Sequence, residues 1–321
     1  EYGAATAIAS SATIALGNNA EFAVNSGLTA GNSVTVNGGT NSVISFNNGT
    51  ATLSGSVLLN ANATIGLRNW WDYATVQNGR ISGVISGAGS LVMNTGGALT
   101  LTGNNTFTGG IQLNAGTLVI GGANSAGAGT ITAANGTTLS LTTTSGVGNA
   151  VEISGTNAGV TLTSDQASAG YTSNFTGTAD QTLWVINNGN AVNFNGTARQ
   201  FVNFLGTVNV QAGTNMSDRS STTTWTNGGD STLFNVDGYM GSRNGGAWAL
   251  GGLTGSGTLA MGTDGSNGIG LSYTIGARND VSNTFSGVIR DGDTVNAKRV
   301  SVTKVGTGTQ VFSGVNTYTG N

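Results

Sequence analysis

The stretch GALTLTGNNTFTGGIQLNAGTLVI (97–120) decides the fold, because its apolar residues recur in short runs of period two. Leu99 and Leu101 alternate with threonines, and Leu118 and Ile120 form a second pair about 19 residues later. Alternation of this kind is typical of half-buried strands, and glycine and asparagine between the runs are turn signals. The stretch therefore predicts very short strands joined by frequent tight turns.

The composition of the chain restricts its class. Its 321 residues include 55 glycines, only 7% of them are charged, and proline, cysteine and histidine are absent. Proline is expelled from the interior of sheets because it lacks a backbone donor, so its absence favours hydrogen-bonded strands throughout. Disulfides and thiolate metal sites are impossible. Ten basic and 13 acidic residues leave no charge pattern for nucleic acid or an anionic membrane, and no apolar run is long enough for a membrane helix.

The spacing of the strand pairs selects an architecture. About 19 residues between equivalent strands suits one coil of a β-solenoid, in which each coil bonds to the coils above and below. Inward Leu, Ile, Val and Phe would form a narrow core, and outward Thr, Ser and Asn would face water. A β-sandwich or lipocalin-like barrel is the alternative, but it needs fewer and longer strands and does not explain repetition. No stretch holds a helical period over three turns.

Internal repetition is visible at several places. GNNTFTG (103–109) returns as GVNTYTG (314–320) with five of seven positions identical, and SGVISGAGSLVM (82–93) is echoed by GGLTGSGTLAM (251–261). The sequences GAGSLVMNTGGALTLTGNNTFTGGIQLNAGTL (87–118) and SVTKVGTGTQVFSGVNTYTG (301–320) resemble the autotransporter-associated β-strand repeat, also called the passenger-associated transport repeat. The residues that carry the repeat turn are Gly103, Asn105, Thr106, Phe107, Thr108 and Gly109, and again Gly314, Asn316, Thr317, Tyr318, Thr319 and Gly320.

The resemblance covers about a third of the chain, residues 81–120 and 250–321. It implies an exported bacterial protein with a right-handed parallel β-helix, and it implies no particular activity. We therefore expect an all-β chain in which residues 1–321 form one continuous solenoid, located outside the cell or on its surface. Because the second copy stops before its NAGTL strand and no translocator barrel follows, we also expect a segment of a longer protein.

Catalytic chemistry has little support in the sequence. Asp291 and Asp293 form a close acidic pair, which we interpret as a solvated turn rather than an ion site. The stretch DGSNG (264–268) resembles a calcium loop without its bidentate glutamate. Absence of histidine removes the commonest general base and the Ser-His-Asp triad. We predict no enzyme activity and no cofactor or metal.

Two segments, 67–80 and 215–248, interrupt the repeats with aromatic and charged residues. Such side chains form ligand-stacking surfaces or protein interfaces, although large aromatics more often fill a core. Trp70 and Trp71 are adjacent, so in a strand one of them would point outward. The candidate interaction surface consists of Arg68, Trp70, Trp71, Tyr73, Trp225, Tyr239, Arg243 and Trp248.

Three functions are compatible with these observations. The leading hypothesis is a non-catalytic structural protein of a bacterial surface, a rod, fibre or sheath that binds further copies of itself. The second is an adhesin or glycan-binding passenger domain, whose partner is an extracellular glycan or protein. The third is a β-helix polysaccharide lyase or hydrolase, which the scarcity of carboxylates and the lack of histidine disfavour.

Overall fold

The computed structural model describes residues 11–69, 75–143, 146–165, 170–187, 191–195, 200–218, 226–262, 270–292 and 298–320. Within these ranges it contains 34 strands and no helix. Most strands have two to five residues, which confirms the prediction of very short strands. The chain divides into two compact units, residues 1–154 and 155–321.

Unit 1 contains the first seventeen strands. They are β1 Ile14–Leu16, β2 Glu21–Asn25, β3 Thr29–Ala30, β4 Val34–Val36, β5 Val43–Asn47, β6 Ala51–Leu53, β7 Val57–Leu59, β8 Ala63–Leu67, β9 Gly79–Ile81, β10 Ile85–Gly87, β11 Leu91–Met93, β12 Ala98–Leu101, β13 Ile111–Leu113, β14 Thr117–Ile120, β15 Ile131–Ala134, β16 Thr137–Leu141 and β17 Val151–Ser154.

Unit 2 contains the remaining strands. They are β18 Gly159–Ser164, β19 Gly170–Tyr171, β20 Phe175–Gly177, β21 Thr182–Val185, β22 Val192–Phe194, β23 Asn203–Phe204, β24 Thr207–Val210, β25 Asn215–Asp218, β26 Thr226–Val236, β27 Tyr239–Ser242, β28 Gly246–Thr254, β29 Thr258–Met261, β30 Leu271–Ile275, β31 Ser282–Phe285, β32 Val288–Arg290, β33 Val300–Lys304 and β34 Thr309–Phe312.

The strands of unit 1 stack in three parallel ladders. Their orders are β1-β4-β7-β10, β2-β5-β8-β11-β13-β15-β17 and β3-β6-β9-β12-β14-β16. In the third ladder Leu99 pairs with Leu118 and Leu101 pairs with Ile120, the two pairs from which the coil length was inferred. Successive passes of the chain therefore lie directly on one another, which confirms a parallel β-solenoid.

Unit 2 is also built of stacked parallel ladders, but some of its strands are longer. Its main ladders run β18-β21-β24-β26-β28-β30-β33 and β19-β22-β25-β27-β29-β32, and the shorter pairs are β20-β23 and β31-β34. A bulge between Gly229 and Leu233 interrupts the pairing of β26 with β28. The described parts of segment 215–248 contribute β25, β26, β27 and the start of β28 to these ladders. A single continuous solenoid and its right-handed winding stay predictions.

The core of unit 1 consists of aliphatic columns. Leu53, Ile81, Leu101 and Ile120 occupy paired positions in β6, β9, β12 and β14, and all four are fully buried. Burying one such side chain contributes about 1.5–3 kcal/mol. Because like residues repeat at each pass, the narrow core is filled by one aliphatic side chain stacked on the next.

The core of unit 2 is instead rich in aromatic rings. Neighbouring ring centroids lie between 5.2 Å (Phe175 to Phe201) and 6.4 Å (Phe234 to Trp248) apart. The two buried tyrosines donate their hydroxyl hydrogen bonds to carbonyl oxygens, Tyr171 to Thr163 at 3.2 Å and Tyr273 to Met240 at 3.1 Å. Burial raises the pKa of both phenols. Their hydroxyls therefore act as neutral donors within the core.

Glycines stack at the corners where the chain turns between ladders. A side chain at Gly83 would overlap the carbonyl oxygen of Gly55 in the coil before it, and one at Gly103 would overlap the carbonyl of Gly83. In unit 2 Gly257 and Gly287 form the same kind of contact. Close coil-to-coil approach, rather than an unusual φ, requires glycine at these positions. This explains why a glycine follows so many of the short strands.

Candidate functional site

The repeat turn between β12 and β13 is organised around Asn105, which is buried. Its Oδ1 accepts the backbone N–H of Ile85 at 2.8 Å, and its Nδ2 donates to the carbonyl of Ser125. The backbone N–H of Thr106 donates to the Ile85 carbonyl at 2.8 Å, so the turn is bonded to the coil before it twice. One asparagine side chain thereby connects three successive coils.

The second copy of the turn repeats this geometry in unit 2. Asn316 Oδ1 accepts the backbone N–H of Ile289 at 2.8 Å, and the N–H of Thr317 donates to the Ile289 carbonyl at 2.9 Å. Asn316 Nδ2 differs, since it donates to the carbonyl of Gly314 in its own turn. The motif found in the sequence is thus one structural device, used twice with the same contacts to the preceding coil.

The two copies differ in what covers them. Phe107 is fully buried, whereas the matching Tyr318 is only half-buried. Phe312 is the last residue of β34, which precedes this turn. It pairs with Phe285 of β31 and is likewise half-buried. Among the described residues, β33 pairs only with β30 and β34 pairs only with β31. The edge of the coil 309–320 that faces away from β31 therefore has no neighbour among the described residues, and we call this coil the open coil.

The residues of the predicted interaction surface lie in different surroundings. Trp248 is fully buried with its ring against Phe234, so its assignment to a surface is wrong and it fills the core. Arg68 forms an ion pair with Glu21 at 3.1 Å in unit 1. The remaining aromatic residues of the prediction, Trp70, Trp71, Tyr73 and Trp225, lie outside the described residues.

Tyr239 and Arg243 lie at the two ends of β27 in unit 2. Tyr239 is half-buried on the outer face, and its hydroxyl donates to the Ala260 carbonyl at 3.1 Å. The backbone N–H of Arg243 donates to the carbonyl of Asp218, which is buried and whose Oδ2 accepts the Ser242 hydroxyl. Arg243 therefore belongs to a coil corner, while Tyr239 remains a surface residue.

The acidic turn of the sequence is a structural connection. Asp291 accepts the backbone N–H of Val300 at 2.7 Å, and it accepts the hydroxyl of Thr319 at 2.7 Å and its N–H at 3.1 Å. Burial by itself would raise the pKa of this carboxyl, but these hydrogen bonds and the nearby Arg299 hold it below its ordinary value. The interpretation of this turn as solvated rather than as an ion site stays a prediction, and the hydrogen bonds of Asp291 add that the turn connects neighbouring coils. Its neighbour Asp293 and the DGSNG stretch lie outside the described residues.

Clusters of metal ligands and membrane-spanning helices would each bear on function, and neither is found among the described residues. The described part of the chain contains no group of three or more Asp or Glu side chains that could hold a metal ion. Nor does any helix within those ranges have the length and apolar character needed to cross a membrane. A shallow groove at Asp237 and Tyr239 is not indicated by the sequence, because Asp-Gly and Ser-Gly pairs mark only two of its three corners and the groove forms where the corners stack.

Stacked parallel coils in which the same turn motif occurs twice define a β-solenoid repeat protein. The passenger-associated-transport-repeat family model matches residues 91–120 and 302–321, the stretches that contain the Asn105 and Asn316 turns. The chain therefore carries two copies of this repeat, which associates it with β-helices of the autotransporter passenger type. No curated protein and no solved structure matches the chain.

Proposed function

We propose that the chain is a non-catalytic structural segment of an extracellular or bacterial cell-surface protein, whose coils stack into a rod, fibre or sheath. The observation that carries this proposal is the in-register stacking of short parallel strands into ladders in each unit. Among the described residues, the coil 309–320 has a neighbour on one side only, since β34 pairs with β31 alone, and its Phe312 and Tyr318 are half-buried. Unpaired strand edges bind further strands, and natural proteins cover or pair them.

The occupant we propose for the open coil is a coil of another copy of this chain. Low charge, 7% of residues, gives little repulsion between copies. The passenger-type repeat supports export to the cell surface, where a rigid solenoid can act mechanically. A further repeat of a longer polypeptide would satisfy the same edge, and the experiment below separates the two.

Light scattering and electron microscopy on residues 1–321 test self-association. We expect a mass that rises with concentration and elongated particles. Phe312→Lys places a charge on the inner face of the open coil and should return the protein to a monomer. Val315→Lys is the matched control, because Val315 is 79% exposed and its substitution leaves that face unchanged. A parent protein that stays monomeric at all concentrations contradicts self-association and favours continuation of one chain.

The absence of catalysis is part of the same proposal. A lyase or hydrolase needs acidic or basic groups free to move protons, and the Asp291 carboxylate is instead bonded to Val300 and Thr319. We expect neutral and acidic polysaccharides to release no reducing ends or unsaturated products on incubation. Turnover that disappears in Asp291→Ala would favour an enzyme instead.

A further inference from the structure

A shallow groove of about 450 Å³ lies on unit 2 where three coils turn into the strands β25, β27 and β29. Its lining residues come in three equivalent sets, which are Gly213, Thr214 and Asn215, then Asp237, Gly238 and Tyr239, then Ser256, Gly257 and Thr258. The coils are spaced by about 4.8 Å, so the groove runs roughly 10 Å along the stack. We propose that this groove binds a short neutral oligosaccharide.

Tyr239 is the aromatic residue of the groove lining, and its ring extends from the groove along the outer face of β27. It stands between Asn215 and Thr258 in the ladder, and both neighbours are much smaller than an aromatic ring. Its ring lies over Gly241, where an added Cβ would come within 3.0 Å of Cε1, and its hydroxyl is held by the Ala260 carbonyl. The ring is therefore fixed in place before a ligand arrives. Aromatic rings of this kind combine an apolar body with a polar end, as sugar rings do.

Asp237, two residues before Tyr239 in the groove lining, provides a preorganised acceptor. Its Oδ1 accepts the backbone N–H and the hydroxyl of Ser256, both at 3.0 Å, and its Oδ2 accepts Nδ2 of Asn235 at 2.9 Å. A carboxylate has about four acceptor positions, so a further hydroxyl donor can bind. Burial would raise the pKa of this carboxyl, but the Ser256 and Asn235 hydrogen bonds hold it below its ordinary value, so the group stays ionised at neutral pH.

The chemistry of the groove selects among ligands. The negative charge of Asp237 disfavours phosphate, sulfate and uronate groups. Three donors already directed at its oxygens disfavour a cation, and the lining offers no apolar side chain besides the Tyr239 ring for a hydrophobic ligand. Asn215 and Ser256 are exposed and carry amide and hydroxyl groups at the rim. A groove lined by hydroxyl, amide and carboxylate groups, with an aromatic ring extending from its edge, fits a polyhydroxylated ring.

Binding of named oligosaccharides to residues 1–321 tests the proposal, by saturation-transfer NMR and titration calorimetry at neutral pH. The probes are cellotetraose, maltotetraose and chitotetraose, with a heparin-derived tetrasaccharide as the anionic comparison. We expect at least one neutral probe to bind and the anionic one not to bind. Tyr239→Ala should weaken binding at least about 10-fold, whereas Tyr239→Phe, which keeps the ring, should stay within about 3-fold.

Two further variants separate binding from folding. Asn215→Arg fills the groove from an exposed position without touching the core and should abolish binding. Val281→Ala changes a side chain that is 92% exposed and lies outside both the groove and the open coil, so it should leave the affinity unchanged. The proposal is overturned if no neutral probe binds, or if Tyr239→Ala and Asn215→Arg bind as tightly as the parent. Self-association through the open coil is measured separately, so either proposal can fail without the other.

Discussion

At the scale of single residues, one asparagine accounts for the repeat motif. Asn105 is buried and satisfies a donor in the coil before it, Ile85 N–H, and an acceptor in the coil after it, the Ser125 carbonyl. A buried polar group left without its partner costs about 1–3 kcal/mol. No other natural side chain of this size offers an acceptor and a donor on opposite edges. Asparagine is therefore required by the stacking rather than by solvent exposure.

We expect Asn105→Ala to lower the free energy of unfolding by about 2 kcal/mol or more, because it leaves both backbone groups without partners. Asn104→Ala is the control, since Asn104 is exposed and its Oδ1 only accepts Nδ2 of Asn124. Its cost should stay below about 0.5 kcal/mol. Urea unfolding followed by circular dichroism measures both, and equal effects would contradict the bridging role.

These residues also indicate how far the sequence is predictive. The inward positions of Leu99 and Phe107 follow from alternation alone and are confirmed, as is the pairing of Leu99 with Leu118. Trp248 could not be placed in this way. Trp248, Ala249 and Leu250 of strand β28 are all buried, so both faces of the strand are covered and alternation carries no information there. The groove at Tyr239 depends on how three distant turns stack, which no local pattern contains.

At the scale of elements, the corners rather than the strands set the coil geometry. Gly55, Gly83 and Gly103 follow β6, β9 and β12, and a side chain at each of them would overlap a carbonyl oxygen of the coil before it. Strands of three residues supply few hydrogen bonds each, so the coils stay in register only if their corners also stack closely. Glycine content is thus a consequence of coil packing.

Gly83→Ala should destabilise unit 1 strongly, because the new Cβ overlaps the Gly55 carbonyl and the backbone must move. Overpacking of this kind costs about 1–3 kcal/mol. Gly17→Ala is the matched control, since a Cβ at Gly17 has no heavy atom within 4 Å. Thermal unfolding should show a lowered Tm for Gly83→Ala only. A tolerated Gly83→Ala would mean that the corners are not close-packed.

Asp291 gives an element-scale prediction for pH. Its folded-state pKa is depressed by the Thr319 and Val300 hydrogen bonds, which outweigh its burial. The stability it contributes is complete above the unfolded pKa, about 3.9, and is lost as the pH falls through the lower folded value. Asp291→Asn should therefore be less stable than the parent at pH 6, and the difference should shrink below pH 4. Thermal unfolding of both proteins from pH 7 to pH 2 measures this, and a constant difference would contradict it.

At the scale of the whole molecule, the two repeat copies differ in their surroundings more than in their sequence. The copy at 91–120 lies between coils on both sides, and Phe107 is fully buried. The copy at 302–320 has a described coil on one side only. Because segments with fewer protecting contacts open more readily, the two similar motifs should differ in their protection from exchange. The edge that leaves residues 302–320 less protected is also the edge to which a second copy would bind in the proposed self-association.

Hydrogen exchange of residues 1–321, read out by mass spectrometry, measures this difference directly. In dilute solution we expect peptides from 302–320 to exchange at least about 10-fold faster than peptides from 91–120, since their ladder is bonded on one side. At high concentration the exchange of 302–320 should slow in the parent and in Val315→Lys, as a second copy covers the open coil. Phe312→Lys should keep fast exchange at every concentration. Exchange at 302–320 that is slow even in dilute solution would contradict an open coil, and exchange that never slows would contradict its occupation by another copy.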